Sequence, residues 1–235
     1  MPDDDADALP RPDAILFDLD GTLVDSVQTR IDAWTAALDQ SGFPTTRDQL
    51  APMIGLDGRR LAREIAAVAG RPIDEHRSEE IDKLSGEIYE RINRPRPLPG
   101  VADIVAAIDD QGLRWAIATS SRKDQVKTSV DALGLDAEPT ILDASHVKHA
   151  KPEPELLLYA AKELGVEPAR CWYVGDSTWD MVSAVAAGMI AVGVTAGSAL
   201  DGTALRSAGA AVVVNGLPDL AAAIAQLPPA SGDAG

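Results

Sequence analysis

The 235-residue sequence is poor in several residue types, and each shortage excludes a class of protein. Its one cysteine, Cys171, cannot form an intrachain disulfide. Its three histidines are not spaced as metal ligands with one another or with the cysteine. No apolar run approaches the roughly 20 residues that a membrane-spanning helix needs. The first residues lack the basic and apolar regions of a signal peptide, so we expect a cytoplasmic protein with no membrane role.

Basic residues are scarce relative to acidic ones. Lysine and arginine total 21 against 37 aspartates and glutamates, which gives a formal net charge of −16. Such a surface repels nucleic acid and anionic lipid, so neither is an expected partner. If the protein handles a phosphate compound, a metal ion or a cluster of lysine and arginine must supply local positive charge.

Five short apolar runs are typical of buried β-strands. Helical patterns separate them, and this alternation indicates a parallel sheet covered by helices on both faces. The expected fold class is therefore α/β, with a three-layer Rossmann-like core. The predicted strands are residues 14–17, 115–118, 171–174, 190–194 and 212–214.

One long segment interrupts this alternation. Residues 26–96 contain apolar residues at helical spacing but no pattern typical of a strand. We therefore expect an all-helical cap domain there, inserted into a core domain formed by residues 13–25 and 97–228. The remaining residues, 1–12 and 229–235, are rich in small residues, proline and aspartate, which is typical of flexible tails.

Polar residues follow three of the predicted strands. Asp18 and Asp20 come after the first strand and Thr119 after the second. Asp176 follows the third, and Lys151 lies in the connection before it. In an open parallel sheet, ligands bind beyond the carboxyl ends of the strands. Carboxylates are suitable ligands for Mg²⁺, and a lysine beside them neutralises phosphate, so the sequence predicts phosphate chemistry at this edge.

These residues lie in motifs that resemble a known family. The run Asp-Leu-Asp-Gly-Thr-Leu-Val-Asp-Ser at 18–26 resembles the signature of the haloacid dehalogenase superfamily. The resemblance covers residues 13–225, includes the position of the helical insertion, and points to the branch of phosphoglycolate phosphatases and β-phosphoglucomutases. Three further motifs follow in order: Thr119, then Lys151 in Lys-Pro-Glu-Pro, then Gly175-Asp176-Ser177 with Asp180.

The resemblance implies a role for each motif residue. Asp18 would attack phosphorus and become an aspartyl-phosphate. Asp20 would protonate the leaving oxygen and later deprotonate the attacking water. Mg²⁺ would be held by Asp18, the backbone carbonyl of Asp20, and Asp176. Lys151 would steady the nucleophile and the charge of the phosphate.

Three residues are implied to surround the transferring phosphoryl group. Thr119 and the backbone of Ser120 would donate hydrogen bonds to it. Gly21 would let the backbone turn tightly, so that amides can approach the phosphate.

Other residues keep two interpretations. Asp180 is either a further acid near the metal or an exposed helical residue. Ser26 is either a helix N-cap or part of a hinge to the cap. Arg122 contacts either phosphate or solvent. Arg59 either binds a carboxylate or hydroxyl of the substrate, or faces solvent on a helix that Asp57 caps.

The predicted reaction is hydrolysis of a small phosphomonoester, either a phosphoglycolate-like acid or a sugar phosphate, by a monomer or weak homodimer. Haloacid dehalogenases resemble this sequence but lack the second aspartate. Asp20 is present here, which argues against dehalogenase activity and for phosphoryl transfer. The β-phosphoglucomutases carry a histidine three positions before an Ala-Trp pair, where this sequence has Arg30 before Ala33 and Trp34. Mutase activity therefore remains the alternative. A non-catalytic relative would be expected to lack one of the motif acids or Lys151.

Overall fold

The computed structural model of the protein describes residues 9–121, 123–149 and 151–229. Arg122 and the outer parts of the two predicted tails, residues 1–8 and 230–235, lie outside the described residues. None of the helices in the described ranges is long and apolar enough to cross a membrane.

A six-stranded parallel sheet forms the centre of the fold, in the strand order 3-2-1-4-5-6. The strands are β1 (Ala14–Phe17), β2 (Arg114–Ala118), β3 (Ile141–Leu142), β4 (Cys171–Gly175), β5 (Ile190–Val194) and β6 (Val212–Val214). The strand order reverses direction between β1 and β4, which is where open α/β sheets bind ligands. The predicted α/β class is confirmed, whereas β3 escaped prediction because two residues are too short to form a pattern.

Four helices lie within residues 26–96, in the connection between β1 and β2. They are α1 (Val27–Gln40), α2 (Arg47–Leu50), α3 (Gly58–Val68) and α4 (Glu75–Ile92), with a short 3₁₀ helix at Ala51–Met53. Within residues 26–96, all of which the structure describes, every regular element is helical. The side chains of Thr46, Asp57 and Asp74 cap α2, α3 and α4 by accepting hydrogen bonds from backbone amides in the first turn.

This helical segment, residues 26–96, buries an apolar cluster of its own that includes Ile31, Leu38, Leu50, Leu61 and Ile81. Its two ends lie side by side. The backbone N–H of Asp25 donates to the carbonyl of Arg96 at 2.9 Å, and that of Leu98 donates to the carbonyl of Leu23 at 2.8 Å. The chain therefore leaves the core and returns to it at neighbouring points.

The remaining helices cover both faces of the sheet. They are α5 (Val101–Asp110), α6 (Lys123–Asp131), α7 (Glu155–Leu164), α8 (Thr178–Ala186), α9 (Gly202–Ser207) and α10 (Leu217–Ala225). Side chains alternate along β1, so Ile15 and Phe17 join the cluster beneath α5 and α10, while Ala14 and Leu16 join the cluster beneath α7 and α8. All four are buried, which explains why the strand is continuously apolar.

Residues 9–12 differ from the predicted flexible tail, because they contact the core. The indole N–H of Trp172 donates to the carbonyl of Pro10 at 3.1 Å. The guanidinium of Arg11 donates to the carbonyl of Gln111 at 2.6 Å. These hydrogen bonds hold the segment against the core, although its composition is typical of a flexible tail.

Gly100→Ala should destabilise the fold more than Gly112→Ala. Both glycines have positive φ, 93° and 63°, so both variants carry the cost of about 1–2 kcal/mol for a left-handed residue with a side chain. A Cβ at Gly100 would lie 2.8 Å from the backbone nitrogen of Pro218 in α10, whereas one at Gly112 meets no described atom within 4 Å. We expect a further loss of roughly 1–3 kcal/mol for Gly100→Ala in urea denaturation. Equal losses would contradict close packing of α5 on α10.

Candidate active site

Asp18 lies at the carboxyl end of β1, and its position is set by the sheet. Its backbone N–H donates to the carbonyl of Val174 at 2.8 Å, so the chain still runs beside β4 at this point. The side chain is buried, and its Oδ1 accepts a hydrogen bond from Nζ of Lys151 at 2.6 Å. The structure therefore joins two residues that are far apart in the sequence and that both belong to predicted motifs.

Lys151 is held by a second carboxylate, that of Asp180. Its ammonium group is 1% exposed and donates to Oδ1 of Asp180 at 2.7 Å, and the Tyr173 hydroxyl donates to the same oxygen at 3.1 Å. The other oxygen of Asp180 accepts hydrogen bonds from the backbone and hydroxyl of Ser177 at 3.0 and 2.7 Å. Asp180 is 0% exposed, so its interpretation as an exposed helical residue is wrong. It fixes Lys151 and caps the first turn of α8.

Asp176 directly follows β4 and completes a group of three buried acids. One carboxylate oxygen from each of Asp18, Asp176 and Asp180 lies within 4.8 Å of the others. Burial raises the pKa of Asp176 well above its usual range, and the charges of Asp180 and Asp18 raise it further. Burial likewise raises the pKa of Asp18 to about 7, although the charge of Lys151 opposes this shift. When ionised, the carboxylates of Asp18, Asp176 and Asp180 therefore repel one another.

This group of acids fits a divalent cation. Three carboxylates face one ammonium group, so two negative charges lack compensation when all are ionised. Oxygen ligands of this kind are those that Mg²⁺ prefers. Because both oxygens of Asp180 already accept hydrogen bonds, Asp18 and Asp176 are better placed to bind an ion directly. Among the described hydrogen bonds, the carboxylate of Asp176 accepts only a long contact, 3.3 Å, from the Thr22 hydroxyl.

Asp20 points to a different set of partners. Its Oδ1 accepts hydrogen bonds from the hydroxyls of Ser26 at 2.6 Å and Tyr89 at 3.2 Å. Its Oδ2 accepts hydrogen bonds from the guanidinium of Arg30 at 2.7 Å and the hydroxyl of Ser121 at 2.6 Å. Burial raises the pKa of Asp20, but the charge of Arg30 and the hydrogen bonds of Ser121 and Ser26 outweigh it and hold the pKa below its usual range. The Ser26 hydroxyl is used here and does not cap α1.

Thr119 and Ser120 follow β2 and line the same cavity as the acids. The backbone N–H of Thr119 donates to the carbonyl of Leu142 at 3.0 Å, which fixes this end of the strand against β3. The Ser120 hydroxyl is buried and has no hydrogen-bond partner among the residues that the structure describes. A ligand in the cavity would satisfy it, because buried polar groups are otherwise almost always paired.

The backbone turns tightly at Gly21, as the sequence suggested. The N–H of Gly21 itself donates to the carbonyl of Val24 at 2.8 Å. Its φ is +85°, and a Cβ there would lie 2.4 Å from Oδ2 of Asp176. Glycine is therefore required at this position for backbone conformation and for close approach of an acid.

Asp18, Asp20 and Asp176 line a cavity of about 750 Å³, and residues of the helical segment form its helical wall. Two hydrogen bonds join the helical segment to the core. The indole N–H of Trp179 donates to the carbonyl of Pro52 at 2.8 Å, and the backbone N–H of Asp57 donates to the carbonyl of Lys151 at 3.2 Å. The helical wall includes Trp34, Asp57, Arg59, Leu61, Glu79 and Asp82.

Arg59 combines parts of both earlier interpretations. It lines the cavity, as a substrate-binding residue would. Asp57 also caps α3 by accepting a hydrogen bond from the backbone N–H of Arg60 at 3.0 Å. The Arg59 guanidinium lies 3.7 Å from Asp57 and 3.3 Å from Glu75, so its charge is already offset by two acids.

Four residues at the site were not predicted as contacts. Ser121 adjoins the predicted pair Thr119 and Ser120, so its position was a usable signal. In the sequence, Arg30 stands where β-phosphoglucomutases carry a histidine, and nothing marks it as a contact of Asp20. Tyr89 and Tyr173 carried no sequence signal, because each reaches its acid through the tertiary fold.

Comparison with known proteins decides the family. A family model described as haloacid dehalogenase-like hydrolase matches residues 15–194. The chain belongs to this family. It is 32% identical to the N-acetylmuramic acid 6-phosphate phosphatase of Pseudomonas aeruginosa, over 76% of this chain and 79% of that protein. It is 34% identical to the phosphoglycolate phosphatase of Xylella fastidiosa, over 78% of this chain and 80% of that protein.

A solved structure agrees with this assignment. The crystal structure of a hydrolase from Pseudomonas syringae matches with a TM-score of 0.83 at 33% identity, covering 88% of this chain and 95% of that chain. The resemblance inferred from the motifs is thus confirmed at the level of the family. The two relatives are phosphatases of different substrates, so the family alone does not define the substrate of this haloacid dehalogenase-like hydrolase.

Asp176→Asn should change stability in opposite directions with and without Mg²⁺. In metal-free buffer the variant of this hydrolase should unfold at a higher temperature than the wild type, because one of three repelling buried carboxylates is neutralised. With Mg²⁺ at ten times its dissociation constant, the wild type should gain about 1.4 kcal/mol, roughly 3 °C, and the variant much less.

The measurement is differential scanning calorimetry with a Mg²⁺ titration. Asp219→Asn, the same substitution at an exposed residue of α10, is the matched control and should behave like the wild type. A stabilisation by Mg²⁺ that survives Asp176→Asn unchanged would show that the ion binds elsewhere.

Proposed function

We propose that this haloacid dehalogenase-like hydrolase is a Mg²⁺-dependent phosphatase that hydrolyses a small phosphomonoester through an aspartyl-phosphate on Asp18. One observation carries the proposal. Oδ1 of Asp18 lies 2.6 Å from a fully buried lysine, in the wall of a cavity that also contains Asp20 and Asp176. The similarity to two phosphatases, those of Pseudomonas aeruginosa and Xylella fastidiosa, supports the same class of reaction.

In the first step, a carboxylate oxygen of Asp18 forms a bond to phosphorus as the bond from phosphorus to the ester oxygen breaks. Asp20 gives its proton to the departing oxygen. Lys151 offsets negative charge on Asp18 and on the phosphoryl group, while Thr119 and Ser120 donate hydrogen bonds to the phosphoryl oxygens. The products are the free alcohol and the aspartyl-phosphate.

In the second step, water attacks phosphorus and Asp20, now a carboxylate, takes the proton from that water. The bond between phosphorus and the Asp18 oxygen breaks, which releases inorganic phosphate and restores the Asp18 carboxylate. The four hydrogen bonds that Asp20 accepts in the structure favour the ionised form that this second step requires, and they oppose the protonated form that the first step requires.

Three groups of this chain would hold Mg²⁺: the side chains of Asp18 and Asp176 and the backbone carbonyl of Asp20. When bound, the ion supplies positive charge that offsets both the phosphate and the repulsion among the acids. Asp180 keeps Lys151 in position and has no oxygen left free of protein hydrogen bonds.

We also propose that residues 26–96 act as a cap domain over a core domain of residues 13–25 and 97–228. Residues of both parts line the cavity, and the hydrogen bond from Trp179 to Pro52 joins the two parts. A cap of this kind excludes water and restricts access to small metabolites. A cytoplasmic location and a monomer or weak homodimer remain predictions.

The charge of the helical wall favours a leaving group without a carboxylate. Asp57, Glu79 and Asp82 all line this wall. Two arginines of this wall line the cavity, and acids already offset both: Asp20 pairs with Arg30, and Asp57 and Glu75 lie within 4 Å of Arg59. A phosphoglycolate-like acid would therefore meet like charges, whereas the hydroxyls of a sugar can donate to these carboxylates and its apolar face can pack on Trp34. We propose a sugar phosphate as the substrate class.

Asp18→Asn should abolish phosphate release while leaving the fold intact. The amide is nearly the same size as the carboxylate but cannot attack phosphorus, so turnover should fall by at least about four orders of magnitude. The measurement is phosphate release from a panel of metabolites, with Mg²⁺ and with EDTA, alongside circular dichroism. Near-normal turnover by Asp18→Asn would exclude Asp18 as the nucleophile. Isomerised sugar phosphates in place of free phosphate would favour the mutase alternative.

Within that panel, hexose and alditol phosphates should exceed phosphoglycolate in kcat/KM by at least about tenfold, because like charges a few ångströms apart cost on the order of 1–4 kcal/mol. Asp82→Asn should narrow this ratio, since it removes one acid of the helical wall. Asp39→Asn, at an exposed position on α1 outside the cavity, is the matched control. A preference for phosphoglycolate would overturn the sugar-phosphate proposal but leave the phosphatase proposal standing.

A further inference from the structure

The contacts of Arg30 link the helical segment to the second aspartate. Arg30 lies in the second turn of α1, and its Nη2 donates to Oδ2 of Asp20 and to the Ser121 hydroxyl, each at 2.7 Å. The Ser121 hydroxyl in turn donates to the same Asp20 oxygen at 2.6 Å. The three side chains form a closed triangle of hydrogen bonds. Only 14% of the Arg30 side chain and 11% of the Asp20 side chain are exposed.

The flat face of the same guanidinium rests on Tyr89, which is buried in α4. The guanidinium carbon lies 3.7 Å from the centroid of the Tyr89 ring, within the range of a cation–π contact. The Tyr89 hydroxyl reaches past it to Oδ1 of Asp20 at 3.2 Å. Tyr89 therefore contacts both members of the ion pair, one with its ring and the other with its hydroxyl.

These contacts fix the orientation of the Asp20 carboxylate from two sides. A guanidinium can stack on a ring through its face while it donates through its edge, whereas an ammonium group cannot do both with one geometry. Arg30 and Tyr89 both belong to the helical segment, where α1 packs on α4 through Ala33, Ala37 and Ile88. The packing of these helices thus sets where the carboxylate of Asp20 points.

We infer that Arg30 and Tyr89 are a pair of positioning residues that hold the carboxylate of Asp20 for proton transfer. The inference rests on the proposed phosphatase function, in which Asp20 is the acid and base. Neither residue exchanges a proton with the substrate. Their effect is on the rate of the steps that use Asp20, and it depends on the planar fork of an arginine.

Arg30→Met tests this inference with two kinds of substrate. With an alkyl phosphate, kcat should fall about a hundredfold, because general acid–base catalysis supplies at least about that much, while KM changes less than about threefold. With p-nitrophenyl phosphate, whose leaving group departs without a proton, the pre-steady-state burst of p-nitrophenolate should be retained while the steady-state rate falls. Arg30→Lys should recover only part of the lost rate.

Two further variants separate positioning from folding. Tyr89→Phe removes a single oxygen and keeps the stacked ring, so it should lower kcat less than Arg30→Met does. Arg71→Met is the matched control, because Arg71 also stacks on an aromatic ring of the helical segment, that of Phe43 at 4.8 Å, but lies outside the cavity. It should leave kcat, KM and the burst as in the wild type.

Several results would overturn the inference. A rise in KM of tenfold or more with unchanged kcat would mean that Arg30 binds the substrate. Loss of the burst in Arg30→Met, or full recovery of kcat by Arg30→Lys, would exclude positioning of Asp20 by the arginine fork. If Arg30→Met does not fold, an unchanged kcat in Tyr89→Phe would overturn the inference in its place. A wild-type protein without turnover or burst would instead refute the phosphatase function itself.

Discussion

The ammonium group of Lys151 lies between the carboxylates of Asp18 and Asp180, and the rest of the site is arranged around it. A buried charge costs several kcal/mol unless it is paired and hydrogen-bonded. Lys151 can therefore be buried only when the end of β1 and the first turn of α8 have both reached it. This requirement couples formation of the site to formation of the sheet, because both acids are positioned by neighbouring strands.

The same neighbourhood is not optimised for stability. A third acid, Asp176, is buried against the other two, and the single lysine cannot compensate all three. The carboxylate of Asp176 also lies so close to Gly21 that a side chain at position 21 would collide with it. A chain selected for stability alone would replace such a group with apolar residues, so retention of the acids reflects chemistry at a cost in folding free energy.

Much of this arrangement could be predicted from local patterns, because three strands of the core are apolar runs followed by Asp18, Thr119 and Asp176. The two-residue strand Ile141–Leu142 could not, since it has no period to detect. The contacts of Asp20 with Tyr89 and Ser121 join residues 69 and 101 positions apart, and only the packing of α1 on α4 and the pairing of the strands bring them together. Ser26 is of a residue type suited to capping, yet its hydroxyl serves Asp20 instead.

The side-by-side ends of the helical segment have a consequence for how this fold diversifies. The backbone of Asp25 is hydrogen-bonded to that of Arg96, and the backbone of Leu98 to that of Leu23, so the two ends of the insertion are held together where it meets the core. The sheet register between β1 and β2 therefore does not depend on the seventy or so residues between those points. Evolution can therefore exchange or enlarge the helices that line the cavity while the acids and Lys151 of the core keep their places.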